Sequence, residues 1–70
     1  MTAEDWIADF AAALGRPAPT REEMDAILRL ASVAAHASER RAAPIACWLA
    51  ATAATPLEAA LDVAQDVARS

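Results

Sequence analysis

Residues 36–47 contain the chain's only histidine, its only pair of adjacent arginines and its only cysteine. Arginine holds an oxyanion through two parallel N–H bonds, and histidine changes its charge near neutral pH. The N-terminus of the helix that follows this turn would add oriented backbone N–H groups and a favourable dipole. Such a site would take the phosphate of a small ligand, or an acidic side chain of a partner. The candidate anion- or partner-binding residues are His36, Arg40, Arg41, Ile45 and Ala46.

The same residues also have an interpretation that requires no ligand. Arg40 and Arg41 follow the predicted C-terminus of the second helix, where cations are favoured by about 0.3–1 kcal/mol. His36 lies four residues after Ser32, on the polar stripe of that helix. The sequence favours a plain connection between helices and leaves the anion site open as the alternative.

Cys47 has two interpretations as well. Its position near a helix N-terminus, with arginines close in sequence, would lower the thiol pKa and produce a reactive thiolate. A lone cysteine on an apolar helix more often packs as a small hydrophobic residue. We therefore expect Cys47 to be a packing residue.

Other catalytic chemistries find little support in the sequence. One histidine and one cysteine are too few ligands for a zinc site. The carboxylate pairs Glu4-Asp5 and Glu22-Glu23 open helices, where the helix dipole favours negative charge. Gly15 is the only glycine, so there is no glycine-rich loop to hold phosphate. We expect no enzymatic activity, no metal and no cofactor.

The elements that must position these residues are four helices. No segment alternates with period two, which excludes a recognisable strand. Helix starts are indicated by Thr2 with Asp5, by Thr20 with Glu23, by Pro44 in a first turn, and by Thr55 with Glu58. Gly15 is placed to end the first helix. The sequence predicts an all-α, compact four-helix domain with helices at about residues 3–14, 21–38, 44–54 and 56–68.

Helical spacing predicts which side chains form the core. In the first helix these are Trp6, Ile7, Phe10 and Leu14. In the second they are Met24, Ile27, Leu28, Ala31, Ala34 and Ala35, with Leu30 on the flank. In the fourth they are Leu57, Ala60, Leu61, Val63, Ala64 and Val67. The third helix has Ile45, Trp48, Leu49 and Thr52 on one face and small uncharged residues on the other, so we expect it to be the most buried.

Length and charge limit the functional classes. Seventy residues form one domain, 1–70, and a net charge of −4 disfavours binding to nucleic acid or anionic membranes. The uncharged run 42–57 is interrupted by prolines and is shorter than the roughly 20 residues of a membrane span. A single cysteine and the lack of a charged and apolar leader predict a cytoplasmic protein.

Several short segments along the chain carry a resemblance to a known family. They are Trp6-Ile7, Leu30-Ala31, Ala35-His36, Arg40, and Ala42-Ala43-Pro44 before an apolar helix. In these residues the chain resembles a small uncharacterised actinobacterial domain. That domain occurs alone and as a C-terminal appendage of proteins similar to molybdenum-cofactor guanylyltransferases. The chain departs from it at Val33, where an acidic residue is common, and at Arg41, where a proline is common. The resemblance implies a context in molybdenum-cofactor metabolism and no particular reaction.

These observations predict a non-catalytic accessory or protein-interaction domain. The expected partners are a second copy of the chain, which would enlarge a small core, or a molybdenum-cofactor biosynthesis protein. The alternative function is the binding of a small anion or phosphate ligand at the turn between the second and third helices.

Overall fold

A computed structural model describes all 70 residues as four helices without a strand. The helices are α1 (Ala3–Ala13), α2 (Arg21–Ala37), α3 (Ala42–Thr52) and α4 (Leu57–Arg69). They form a body of 38 × 23 × 18 Å. The prediction of an all-α four-helix domain is confirmed, and each helix lies within a few residues of its predicted position.

Two of the predicted helix starts are capping boxes. The Thr20 hydroxyl accepts a bond from the Glu23 amide at 3.1 Å, and the Thr20 amide donates to the Glu23 carboxylate at 2.8 Å. Thr2 and Asp5 form the same reciprocal pair at the start of α1. Each box satisfies two backbone donors that a helix start otherwise leaves unpaired.

The capping box predicted for α4 is wrong. Pro56 itself occupies the N-cap position, with φ −54° and ψ 142°, and no side chain caps the helix. Thr55 is therefore one residue too early for its hydroxyl to serve as the N-cap acceptor. The fixed φ of proline sets the entry into this helix instead.

The start of α3 comes two residues earlier than predicted. The amides of Ala42 and Ala43 donate to the carbonyls of Glu39 and Arg40, at 3.0 and 3.1 Å. The turn after α2 thereby continues directly into α3. Pro44 lies in the first turn of the helix, as predicted.

Gly15 ends α1 as predicted. Its φ is +73°, its amide donates to the carbonyl of Ala12, and the amide of Arg16 donates to that of Ala11. This pair of bonds is the Schellman motif, which favours glycine because of the left-handed backbone. Ala54 adopts the same left-handed conformation after α3, with φ 55°, although it carries a Cβ.

The fully buried core is small. Only Ala11, Ala26, Leu30 and Leu61 are buried, and Leu30 on α2 and Leu61 on α4 are the most enclosed, at 3% and 2% exposure. Both α3 and α4 pack against α2, whereas α1 packs extensively against none of the other helices. Thus α2 is the central element of the fold.

The prediction that α3 is the most buried helix is wrong. None of its residues is buried, and Ile45, Trp48 and Leu49 are each more than half exposed. The face that meets α2 is the small one, where Ala46 and Cys47 are partly buried. The absence of charge in α3 suggested a buried helix, but alanine is found both in cores and on surfaces. The small alanine side chains allow this face of α3 to approach α2 closely.

The predicted core faces of the other helices need correction too. Trp6, Phe10 and Leu14 are exposed in α1, because the inward stripe there consists of Ile7 and Ala11. The inward face of α1 is therefore the neighbouring stripe, one residue further along the helix.

In α2 the burial of the two leucines is the reverse of the prediction. Leu30, predicted on the flank, is buried, whereas Leu28, predicted in the core, is 64% exposed. The reason is that α2 supports both α3 and α4, so its buried direction lies between these two neighbours. In α4, Leu61 is buried as predicted, but Val63 and Val67 are exposed.

Candidate functional site

An apolar groove lies between α3 and α4, above α2. It has a volume of about 630 Å³, and fourteen of the seventeen residues that line it are hydrophobic. Its lining includes no charged residue. Nine of the lining residues are alanines, and the larger apolar ones are Leu30, Val33, Leu49, Val63 and Val67.

The groove is open because of where the alanines lie. Ala60, Ala64 and Ala68 follow one another at four-residue spacing along the α4 wall. A row of methyl groups at this spacing forms a smooth helix surface and is too short to reach the opposite wall. The space between α3 and α4 therefore lacks the side chains that would fill an ordinary core.

The molecule as a whole exposes more surface than its mass requires. Its accessible surface is 5405 Å², whereas a self-contained monomer of this mass exposes about 4,200 Å². Its radius of gyration is 12.7 Å, against about 11 Å for a typical folded chain of this length. The excess of about 1,200 Å² and the small core show that much of the apolar surface of this chain is exposed.

His36 lines a second, more polar depression between α2 and α4, with a volume of about 430 Å³. Its Nδ1 atom lies 3.1 Å from the Ser32 hydroxyl. Gln65 and Arg69 line the same depression from α4. The guanidinium of Arg69 already donates to Asp66 at 2.9 Å, so a carboxylate on its own helix balances its charge.

The other predicted site residues are dispersed. Arg41 donates to the Glu39 carboxylate at 3.4 Å with both side chains well exposed, and Arg40 is also exposed. Neither arginine lines the apolar groove or the His36 depression. Ile45 is exposed, and Ala46 lines the apolar groove. The structure therefore places His36 and Ala46 in different depressions.

The first two amides of α3 are not available to an anion. The amides of Ala42 and Ala43 are already bonded within the turn, and Pro44 has no N–H. A helix terminus binds anions through unpaired amides, and none of these three positions supplies one. The anion site stays a prediction, in which Arg40 and Arg41 would act together with amides after Pro44, those of Ile45 and Ala46.

Cys47 faces α2. Its thiol lies 3.8 Å from the carbonyl oxygen of Ile27 and is partly buried. Burial raises the pKa of the Cys47 thiol, because desolvation disfavours the thiolate. This environment supports the packing interpretation of the cysteine.

Sequence reasoning missed the apolar groove. It assigned Leu49, Val63 and Val67 to a continuous core, and the structure places all three on the groove. The available signal was the alanine spacing on the third and fourth helices, since small residues facing one another leave space unless a large residue fills it.

Two further properties hold for the whole fold. No group of three or more histidine, cysteine, aspartate or glutamate side chains is close enough to hold a metal ion. None of the four helices combines the length and apolarity needed to cross a bilayer.

The whole chain matches one known protein family. Residues 1–70 match the family model described as a domain of unknown function, DUF6457. The chain belongs to this family. The match confirms the expectation of a small uncharacterised domain, and it includes both the apolar groove and the turn after α2. No curated protein and no solved structure matches the chain. The description of DUF6457 names no activity, so function must be argued from the surfaces of the domain.

Proposed function

We propose that this DUF6457 chain is a non-catalytic protein-interaction domain that binds a helix of another polypeptide in the groove between α3 and α4. The observation that carries the proposal is the groove itself: about 630 Å³ of apolar, uncharged concave surface on a 70-residue chain. Exposed apolar patches that are concave and continuous are typical of protein-binding sites.

The shape of the groove favours a helical ligand. Its α4 wall extends from Ala60 to Ala68, which is about 12 Å along a helix axis. That length accommodates two to three turns of an amphipathic helix, which would contact the groove through residues at i, i+4 and i+8. Alanine walls permit close approach of the helix backbones, and large side chains of the ligand would fill the space that the alanines leave.

A molybdenum-cofactor guanylyltransferase is the heterologous partner to test first. The support comes from the resemblance in His36, Arg40 and Ala42-Ala43-Pro44 to a domain appended to such proteins. In that setting the domain would act as an accessory module that positions the enzyme or joins two copies of it.

The test is a proton–nitrogen NMR titration of the labelled domain. The probes are inorganic phosphate, GTP and a molybdenum-cofactor guanylyltransferase, and a dilution series tests self-association. The variant Val63→Glu places a charge in the groove at a position that is 61% exposed, and glutamate favours a helix at least as well as valine. Leu28→Glu is the matched control, because Leu28 is equally exposed and lies outside the groove.

We expect shifts at Ala46, Ala50 and Ala64 when the protein partner is added or when the domain is concentrated. Val63→Glu should abolish these shifts, and Leu28→Glu should preserve them. Shifts limited to residues 36–47 with phosphate or GTP would instead support the anion-binding alternative. If the groove amides fail to move in both the protein titration and the dilution series, the proposal is wrong.

A further inference from the structure

We infer that the groove is occupied by α1 of a second copy of this chain, and that two copies exchange this contact reciprocally to form a symmetric dimer. The inference rests on the proposed function, because it names the occupant of the same groove. Four observations support it: a free apolar stripe on α1, a match of length, an excess of exposed surface, and a favourable distribution of charge.

The first observation is that α1 has two apolar stripes and uses only one within its own chain. Ile7 and Ala11 point inward, whereas Trp6 and Phe10 are about half exposed. The two aromatic rings stack on each other, with centroids 5.1 Å apart and an angle of 25° between their planes. Stacking holds the rings in a fixed ridge on the helix surface before any partner arrives.

The second observation is that this ridge fits the groove. Trp6, Phe10 and Leu14 follow one another at four-residue spacing, so the ridge is about 12 Å long. The α4 wall from Ala60 to Ala68 has the same number of residues. Rows at four-residue spacing are the ridges that pack into the grooves of neighbouring helices. Large side chains on one surface meet small ones on the other, which is how layers of a core interdigitate.

The third observation concerns area. The surface in excess of a self-contained monomer is about 1,200 Å² for each chain. A stable protein interface of standard size buries about 800 Å² on each partner. The excess is larger than this requirement, and the α1 ridge and the groove are both part of it. Each copy offers one ridge and one groove, so two copies related by a twofold axis would exchange two identical contacts.

The fourth observation concerns charge. The groove has no charged lining residue, so any occupant must present an apolar face to it. At 100° per residue, Asp5 and Asp9 lie about 140° and about 100° around α1 from Phe10, so they flank the ridge beside Trp6. Both carboxylates would remain in water when Trp6 and Phe10 enter the groove. Ile45 and Trp48 form another exposed apolar pair on α3, outside the groove, and the intermolecular contacts described below distinguish them from the α1 ridge.

The first experiment measures solution mass against concentration by sedimentation equilibrium. It compares the unaltered chain with Phe10→Glu on the ridge, Val63→Glu in the groove and Leu28→Glu as the control on neither surface. We expect a dimer for the unaltered chain and for Leu28→Glu. Phe10→Glu and Val63→Glu should each weaken dimerisation by at least tenfold, with helical circular dichroism confirming that each variant is folded.

Mixing the two weakened variants distinguishes this arrangement from other dimers. The Phe10→Glu chain keeps an intact groove and the Val63→Glu chain keeps an intact ridge, so their mixture can form one of the two contacts. We expect more dimer in the mixture than in either variant alone. A dimer built from groove against groove, or ridge against ridge, would show no such recovery.

A second measurement uses the unaltered chain and does not depend on the folding of variants. In a sample that mixes labelled and unlabelled copies, isotope-filtered NMR should detect intermolecular contacts between the Trp6 ring and the methyl groups of Val63 and Val67. Contacts between two Trp6 rings, or between α3 faces, would overturn the inference.

The remaining outcomes separate this inference from the proposed function. A chain that is monomeric at every concentration, or a dimer that Phe10→Glu leaves intact, overturns the reciprocal α1 contact. If Val63→Glu still abolishes binding to the guanylyltransferase in that case, the groove binds a different helix and the proposed function stands. If Val63→Glu changes neither self-association nor partner binding, both are wrong.

Discussion

The Sγ atom of Cys47 lies 3.8 Å from the carbonyl oxygen of Ile27, which links α3 to the middle of α2 through a partly buried thiol. The surroundings disfavour the thiolate, and burial raises the pKa of the Cys47 thiol above its ordinary value of 9.0. Because the thiolate is the nucleophilic form, this cysteine is adapted to packing between helices.

We predict that the free energy of unfolding falls as the pH rises above about 9. Below the ordinary thiol pKa of 9.0, the thiol is protonated in both the folded and the unfolded chain, so the contribution of Cys47 to stability is fully present. As the pH rises through the raised pKa of the folded state, the unfolded chain releases its proton first and the stabilisation is lost. The chain contains no tyrosine and no lysine, so no other side chain is expected to titrate in this window.

Chemical denaturation between about pH 8 and pH 11 measures this effect, with Cys47→Ala as the control. The variant should lose the decline in stability that the thiol causes. An equal decline in Cys47→Ala would show that the thiol is not its source.

We predict that Leu61→Ala destabilises the domain by about 2–5 kcal/mol, because Leu61 is 2% exposed and its truncation leaves a cavity between α4 and α2. Leu28→Ala is the matched control, since it removes the same atoms from a side chain that is 64% exposed. Its effect should lie within about 0.5 kcal/mol of zero. Denaturation at one fixed protein concentration provides the comparison, because self-association would make the stability depend on concentration. Similar losses in both variants would contradict the assignment of the core.

We predict that Thr20→Ala costs about 1 kcal/mol, since it removes the hydroxyl that accepts the Glu23 amide at the start of α2. Thr55→Ala should cost less than half as much, because no side chain caps α4. Both variants replace an exposed threonine near a helix start, and only Thr20 stands at the N-cap, so their difference measures the contribution of the cap. Denaturation curves that coincide for the two variants would show that the capping box contributes little.

The sequence predicted those features of the fold that depend on near neighbours in the chain. The capping box at Thr20 and the left-handed end at Gly15 are determined within a few residues, and both were located correctly. The sequence also predicted the number and order of the helices, because prolines and caps divide the chain at each boundary.

The buried face of each helix could not be predicted from near neighbours in the chain. Helical spacing gives the angles between side chains on one helix and does not say where the neighbouring helices lie. Leu28 and Leu30 differ by 200° around α2, and the positions of α3 and α4 decide which of them is buried. The apolar groove depends on the same information, because Val63 and Val67 belong to a core only if a third helix covers them. The anion site could not be assessed from the sequence either. No local pattern revealed that the carbonyls of Glu39 and Arg40 accept hydrogen bonds from the first amides of α3.

The final prediction concerns the two left-handed residues that end α1 and α3. Gly15→Ala should destabilise the domain by about 1 kcal/mol, because a Cβ is disfavoured in the left-handed conformation. An added Cβ would meet no atom within 4 Å, so the whole cost is conformational. Ala54→Gly should stabilise the domain by up to about 1 kcal/mol, because Ala54 already bears this penalty at φ 55°.

Chemical denaturation of the two single variants and of the double variant tests this pair. The two sites end different helices, so the effects should add and nearly cancel in the double variant. Loss of stability in Ala54→Gly would mean that the extra freedom of glycine in the unfolded chain outweighs the relief of strain, and that the end of α3 gains nothing from a glycine.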